Sequence, residues 1–183
     1  MEKREKFSRA TIPIIIIFLI FLIFTLVQFI APLSLPSASV SDLDGFVGVE
    51  NNKDEFEDMG VWGFIYSCGD SLCHQKADRS LFINENQMPF CARCTAIWLG
   101  ITIGIGLMIF YKIPLNNKFL IVILIGLAPI GIDGVGQLLN FWESTNFTRV
   151  ITGLLIGIIC GIALGIIVDE LRDISSLIKT KTK

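Results

Sequence analysis

The sequence predicts an all-α integral membrane protein. It should have four transmembrane helices, an extracytoplasmic loop containing Cys and His, and a short β-hairpin in that loop. Three observations carry this. Of 183 residues, 52% are hydrophobic, more than a water-soluble domain of this length needs. These residues gather into four runs almost free of charge. Four of the five cysteines share a 27-residue window with the only histidine.

The runs are residues 10–41, 94–111, 119–142 and 150–168, the third broken only by Asp133. Each reaches the ~18 residues that mark a spanning helix. Backbone groups in lipid must satisfy one another, so each run should be helical. Lys3, Arg4, Lys6, Arg9, Lys112, Lys118, Arg172, Lys179, Lys181 and Lys183 fall on one side of a four-span layout. Lys53, Lys76, Arg79, Arg93 and Arg149 fall on the other. The positive-inside rule then places both termini in the cytoplasm of a plasma-membrane protein and the long loop outside. A basic start, an apolar core and Ser37-Ala38-Ser39 also fit a cleaved signal peptide. The core is longer than the ~7–15 residues usual there, so an uncleaved helix is expected.

The chain divides into four parts. Residues 1–31 hold the cytoplasmic start and first helix, and residues 32–59 an acidic extracytoplasmic linker. Residues 60–168 hold the Cys/His loop with a three-helix membrane domain, and residues 169–183 a cytoplasmic tail. The seven carboxylates of residues 42–58 lack a calcium-loop spacing and read as a solvated surface. Trp62, Phe64, Ile65 and Tyr66 suit either a short interfacial helix or a small core outside the membrane. Residues 81–83 and 88–90 flank Asn84-Glu85-Asn86-Gln87 as a hairpin, which would return Cys91 and Cys94 towards Cys73 and His74.

Gly153, Gly157, Gly161 and Gly165 line one face of the fourth span, and Gly100 and Gly104 share that spacing in the second. Such faces admit close helix packing, within the bundle or against a protein partner or second copy. The lipid bilayer is the main partner. No basic stripe, RNA motif or phosphate loop is present, which excludes nucleic acid.

The chemistry lies in the spacing C-x4-C-H-x16-C-x2-C. Zinc takes four thiolate or imidazole ligands, and C-x-x-C supplies two from one turn. Cys73, His74, Cys91 and Cys94 form the first ligand set, with Cys68 as a substitute because adjacent Cys73 and His74 ligate awkwardly. A redox relay is the alternative: Cys91 and Cys94 at a helix N-terminus, exchanging with Cys68 and Cys73. That layout is similar to the quinone-linked, disulfide-generating membrane enzymes of the DsbB and vitamin K epoxide reductase type, with quinone as the cofactor. Two plain disulfides are a further possibility. Cys160, among glycines, reads as a small packing residue.

Asp133 lies 14 residues into its run, ~21 Å along a helix, and so in the outer half of the bilayer. Arg93 is its first expected partner and Arg149 its second. Arg79, Arg93, Asp133, Gln137 and Arg149 would form a polar cluster at the level of the cysteines. Asp133 and Glu143 are candidates for a general base. A transport or assembly subunit, with Asp133 on a polar path, is a third functional class.

The segments CHQKADRSLF, PFCARCTAIWLG and PIGIDGVGQLLNFWESTNFTRVITGLLIG resemble a prokaryotic membrane family, the domain of unknown function numbered two thousand and eighty-five. The likeness spans about residues 70–165. Matching positions are Cys73, His74, Gln75, Arg79, Ser80, Cys91, Arg93, Cys94, Asp133, Gly134, Gln137, Ser144, Asn146 and Arg149. Cys68 is outside the motif. The resemblance implies a shared site without an assigned activity.

Overall fold

The computed structural model describes residues 12–49 and 51–181. The basic start (Lys3, Arg4, Lys6, Arg9) and Lys183 lie outside the described residues, as do the side chains of Lys179 and Lys181. The order of elements is α1 (Ile12–Ser34), α2 (Lys53–Glu57), α3 (Gly63–Leu72), β1 (Ser80–Ile83), β2 (Asn86–Cys91), α4 (Ala92–Phe110), α5 (Asn117–Leu138) and α6 (Asn146–Lys181). Helices α1, α4, α5 and the 146–174 stretch of α6 are each long and apolar enough to cross a membrane. Helix α6 runs on well past the fourth apolar run, for 36 residues in all. At ~1.5 Å per residue it outlasts a ~30 Å hydrocarbon core.

Glycine decides which helices touch. Helix α4 packs on α6, its partner across an intervening helix. An added methyl at Gly104 would lie 2.2 Å from the Ile158 carbonyl oxygen, and one at Gly157 2.4 Å from that of Ile97. The two glycine faces thus meet each other within one chain. Helix α1 lies on the other side of α4, where the Thr25 and Thr102 hydroxyls are hydrogen-bonded at 2.9 Å. Phe24 stacks edge-on against Trp98, with ring centroids 4.7 Å apart. Helix α5 is the least enclosed: Gly131 and Gly134 face open space, and Gly126 rests on Ile159.

The segment between α1 and α4 forms a cap over one end of the bundle. Its core gathers Ala31 of α1, Val40 and Leu43 of the linker, Phe56 of α2, Ile65 and Tyr66 of α3, and Phe90 of β2. Residues 63–72 therefore do form a helix. Its Ile65–Tyr66 side fills this core, while Phe64 stays exposed.

The hairpin turn is shorter than expected. Asn84 and Glu85, with φ of 54° and 61°, make a two-residue turn of the I′ kind, and Asn86 and Gln87 join β2. Pro89 is tolerated in β2 because a two-stranded ribbon leaves one backbone edge of each strand free. The antiparallel register pairs Ser80 with Cys91 and Ile83 with Asn86.

Buried amides tie cap to bundle. Asn86 Oδ1 accepts from the N–H groups of Ser39 (2.8 Å) and Val40 (3.0 Å). Its Nδ2 donates to the carbonyls of Pro32 and Pro36, both at 2.9 Å. Gln75 Nε2 donates to the carbonyls of Tyr66 (3.1 Å) and Pro89 (2.8 Å). Gln87 donates to Gln75 O and accepts from Leu43 N–H at 3.0 Å. Asp70 accepts from the N–H groups of Asn51 (2.6 Å) and Asn52 (3.0 Å), which orders the acidic linker. Each is a buried polar group that would cost on the order of 1–3 kcal/mol if left unpaired.

Candidate functional site

Three strands of sequence converge at the base of the cap. Cys73 ends α3 in an extended conformation (φ −143°), and the left-handed Gln75 (φ 43°) then reverses the chain. The hairpin brings Cys91 back beside Cys73, and Cys91 caps α4, which carries Cys94 in its first turn. One ligand atom from each of Cys73, His74 and Cys91 lies within 4.8 Å of the other two, so this group could hold a metal ion. Cys94 lies beside Cys73 and Cys91 and acts on both thiols, but falls outside that group of three.

The electrostatics suit a thiolate. The Cys91 N–H donates to Cys73 Sγ at 3.4 Å. Hydrogen bonds from Cys73 and Cys94 hold the Cys91 thiol far below its ordinary range, and nearby His74 acts in the same direction. Cys73 is pushed up, first by its hydrogen bond with Cys91. His74 Nδ1 accepts from the Lys76 N–H at 3.2 Å, so a neutral ring carries its proton on Nε2. Ligation through Nδ1 would replace that bond.

Cys68 is not brought into the group. It packs half-buried against the cap core, and burial raises its thiol. The five cysteines all carry free thiols, and Cys160 sits apart within α6.

Beside the thiols lies the charged cluster. Asp133 is buried and makes an ion pair with Arg93 Nη2. Its carboxylate also accepts from Gln137 Nε2 (3.0 Å), Ser144 Oγ (3.0 Å) and Trp142 Nε1 (3.4 Å). Arg149 is buried and donates to Asn146 Oδ1 at 2.9 Å, while Asn146 Nδ2 donates to Ser80 O at 3.0 Å. Arg79 reaches the exposed Asp78 at 3.6 Å, and Glu143 is solvent-exposed.

Two local structures set this geometry, and both were missed in the sequence. Helix α5 stops at Leu138, short of Trp142, in a Schellman turn. Asn140 is left-handed (φ 56°), its N–H bonds Gln137 O at 3.1 Å, and Phe141 N–H bonds Gly136 O at 2.9 Å. That turn folds Trp142 back over Gly136 and onto Asp133. Asn140, inside the end of the third apolar run, was the signal. The cap of α6 falls on Thr145, whose Oγ1 accepts from Thr148 N–H at 3.2 Å. Ser144 and Asn146 are already engaged by Asp133 and Ser80.

Comparison with known proteins agrees with the motifs. The model of the DUF2085 family, described as a predicted membrane protein, matches residues 73–163. The match begins at Cys73 and leaves out Cys68 and α1. An uncharacterized protein of Methanocaldococcus jannaschii is 38% identical over 111 residues, covering 55% of this chain and 69% of its own. An uncharacterized protein of Methanothermobacter thermautotrophicus is 32% identical over 87 residues, covering 48% and 78%. No solved structure matches the chain. With the motif cysteines, the four apolar helices and relatives covered over most of their length, the chain belongs to the DUF2085 family of membrane proteins.

Proposed function

We propose that the protein is a four-span membrane protein with a zinc site on its extracytoplasmic face. Cys73, Cys91 and Cys94 would be the thiolate ligands, with His74 as the fourth. The observation that carries this is the gathering of Cys73, His74 and Cys91 ligand atoms within 4.8 Å, with the Cys94 thiol against two of them. Thiolate-rich sets with one imidazole favour zinc over harder ions. A closed set of four ligands is a structural site, and loss of the His74 arm would open it to water. The excess of Lys and Arg at the opposite end of the helices supports placing the cap outside. The Asp133 carboxylate, filled by four donors, supports a role as a helix lock rather than a general base.

Metal content and free thiols, measured on detergent-purified protein without chelator or reductant, test the reading. About one zinc per chain, lost in Cys91→Ser and in Cys94→Ser, is expected. Metal-free protein with Cys91 and Cys94 oxidised, and reducible by mild thiols, would overturn it in favour of a quinone-linked thiol oxidoreductase.

A further inference from the structure

The apolar surface of the chain does not stop where the cap begins. On α1, Leu26, Ile30 and Leu33 recur at helical spacing and are all exposed. The other face of the same turns is buried. Thr25 bonds Thr102 of α4, Ala31 enters the cap core, and Gln28 is buried between them. Leucine and isoleucine turned outward up to the last turn of a spanning helix mark lipid up to that turn. The cap, packed on the opposite face of those turns, therefore stands beside one leaflet and not wholly above it.

Helix α3 carries an apolar face of its own at that level. Phe64, Cys68 and Leu72 recur every fourth residue and form one row, with Val61 just ahead of it. Val61 is 80%, Phe64 73% and Leu72 56% exposed. A helix facing water carries charge on its outer side. Helix α3 exposes none: its one charged residue, Asp70, is buried and bonded to the linker. The row is also continuous with the membrane surface of the bundle. Leu72 shares an apolar groove of about 270 Å³ with Ile20, Phe21 and Phe24 of α1 and Trp98 of α4. Ile20 lies 14 residues before Ser34, or ~21 Å along α1 at ~1.5 Å per residue. Leu72 thus reaches hydrocarbon depth. The exposed carboxylates of Glu57 and Asp58 precede the row and would repel anionic headgroups.

We propose that α3 is an interfacial helix, immersed in the leaflet on the cap side of the membrane. Val61, Phe64 and Leu72 insert among the chains of neutral or zwitterionic lipids. The inference depends neither on a metal at the cysteines nor on which side is cytoplasmic. The test uses the full chain in phosphatidylcholine nanodiscs, with p-benzoylphenylalanine replacing Phe64, Leu72 or Asp78 in turn. Asp78 is the aqueous control: its side chain is 71% exposed, in a polar cleft with Asp42, Asp44 and Lys76. After irradiation, intact mass should rise by one phosphatidylcholine for the Phe64 and Leu72 replacements and stay unchanged for that of Asp78. Lipid adducts no more frequent than at Asp78, or adducts joining two protein chains, would overturn the proposal. The natural Cys68 gives a second reading that needs no replacement. In the unmodified chain, a membrane-soluble maleimide should label it faster than an impermeant one of equal intrinsic reactivity. An equal or slower rate would overturn the proposal as well.

Discussion

Arg93, in the first turn of α4, is ion-paired with Asp133, near the end of α5, and this bond spans two helices that share little other packing. Asp133→Asn should therefore destabilise the protein by about 3 kcal/mol. That is the lower end of the range for removing one partner of a buried pair, because Arg93 keeps partial exposure. Joint replacement by Arg93→Met and Asp133→Leu should recover much of the loss. Unfolding in a denaturing-detergent titration measures both. Equal destabilisation in the single and double variants would count against a lock.

The glycine contacts predict opposite outcomes for one chemical change. Gly104→Ala forces a methyl against the Ile158 carbonyl oxygen and should cost about 1–3 kcal/mol. Gly134→Ala meets nothing within 4 Å and should be neutral or stabilising by up to ~1 kcal/mol through helix propensity. Thermal unfolding of the two variants compares them directly.

Asn86→Ala removes five hydrogen bonds between β2, the linker and the end of α1. A loss on the order of 3 kcal/mol is expected. Because β2 also positions Cys91, the Cys73 and Cys91 thiols should become quicker to alkylate. Unchanged alkylation beside lowered stability would show that the cluster is held by other contacts.

The cap is expected on the outside. A cysteine placed at Phe46, which is 78% exposed, should react with a membrane-impermeant maleimide in intact cells. One placed at Lys112, at the opposite end, should react only after lysis. The reverse pattern would invert the orientation.

Much of this architecture could be read from composition. Four runs of apolar residues leave little choice but helices, and the cysteine spacing singles out one loop. The turn at Asn84-Glu85 was less legible, because Asn86 and Gln87 look like loop residues and are in fact buried strand residues. Their burial depends on carbonyls and N–H groups far along the chain, which no local pattern reveals. Asp70 was hidden for the same reason: its partners are backbone amides of the linker. At α5 the hydropathy of Leu139 to Trp142 masked a turn that Asn140 imposes by its left-handed backbone.

The pairing of α4 with α6 bears on how the chain is made. Helix α4 leaves the ribosome before α5, yet the surface that fits its glycine face arrives only with α6. During synthesis α4 must wait in the membrane with backbone carbonyls thinly covered, resting on α1 and the cap it has just closed. Helix α5 is delivered in between and has to stand aside. Its thin packing, with Phe119 and Gly126 against α6 and one ion pair to α4, fits a segment that docks after the other three have assembled. Truncation before residue 146 should therefore yield chains recognised as incomplete and degraded, even though three of the four apolar helices would be present.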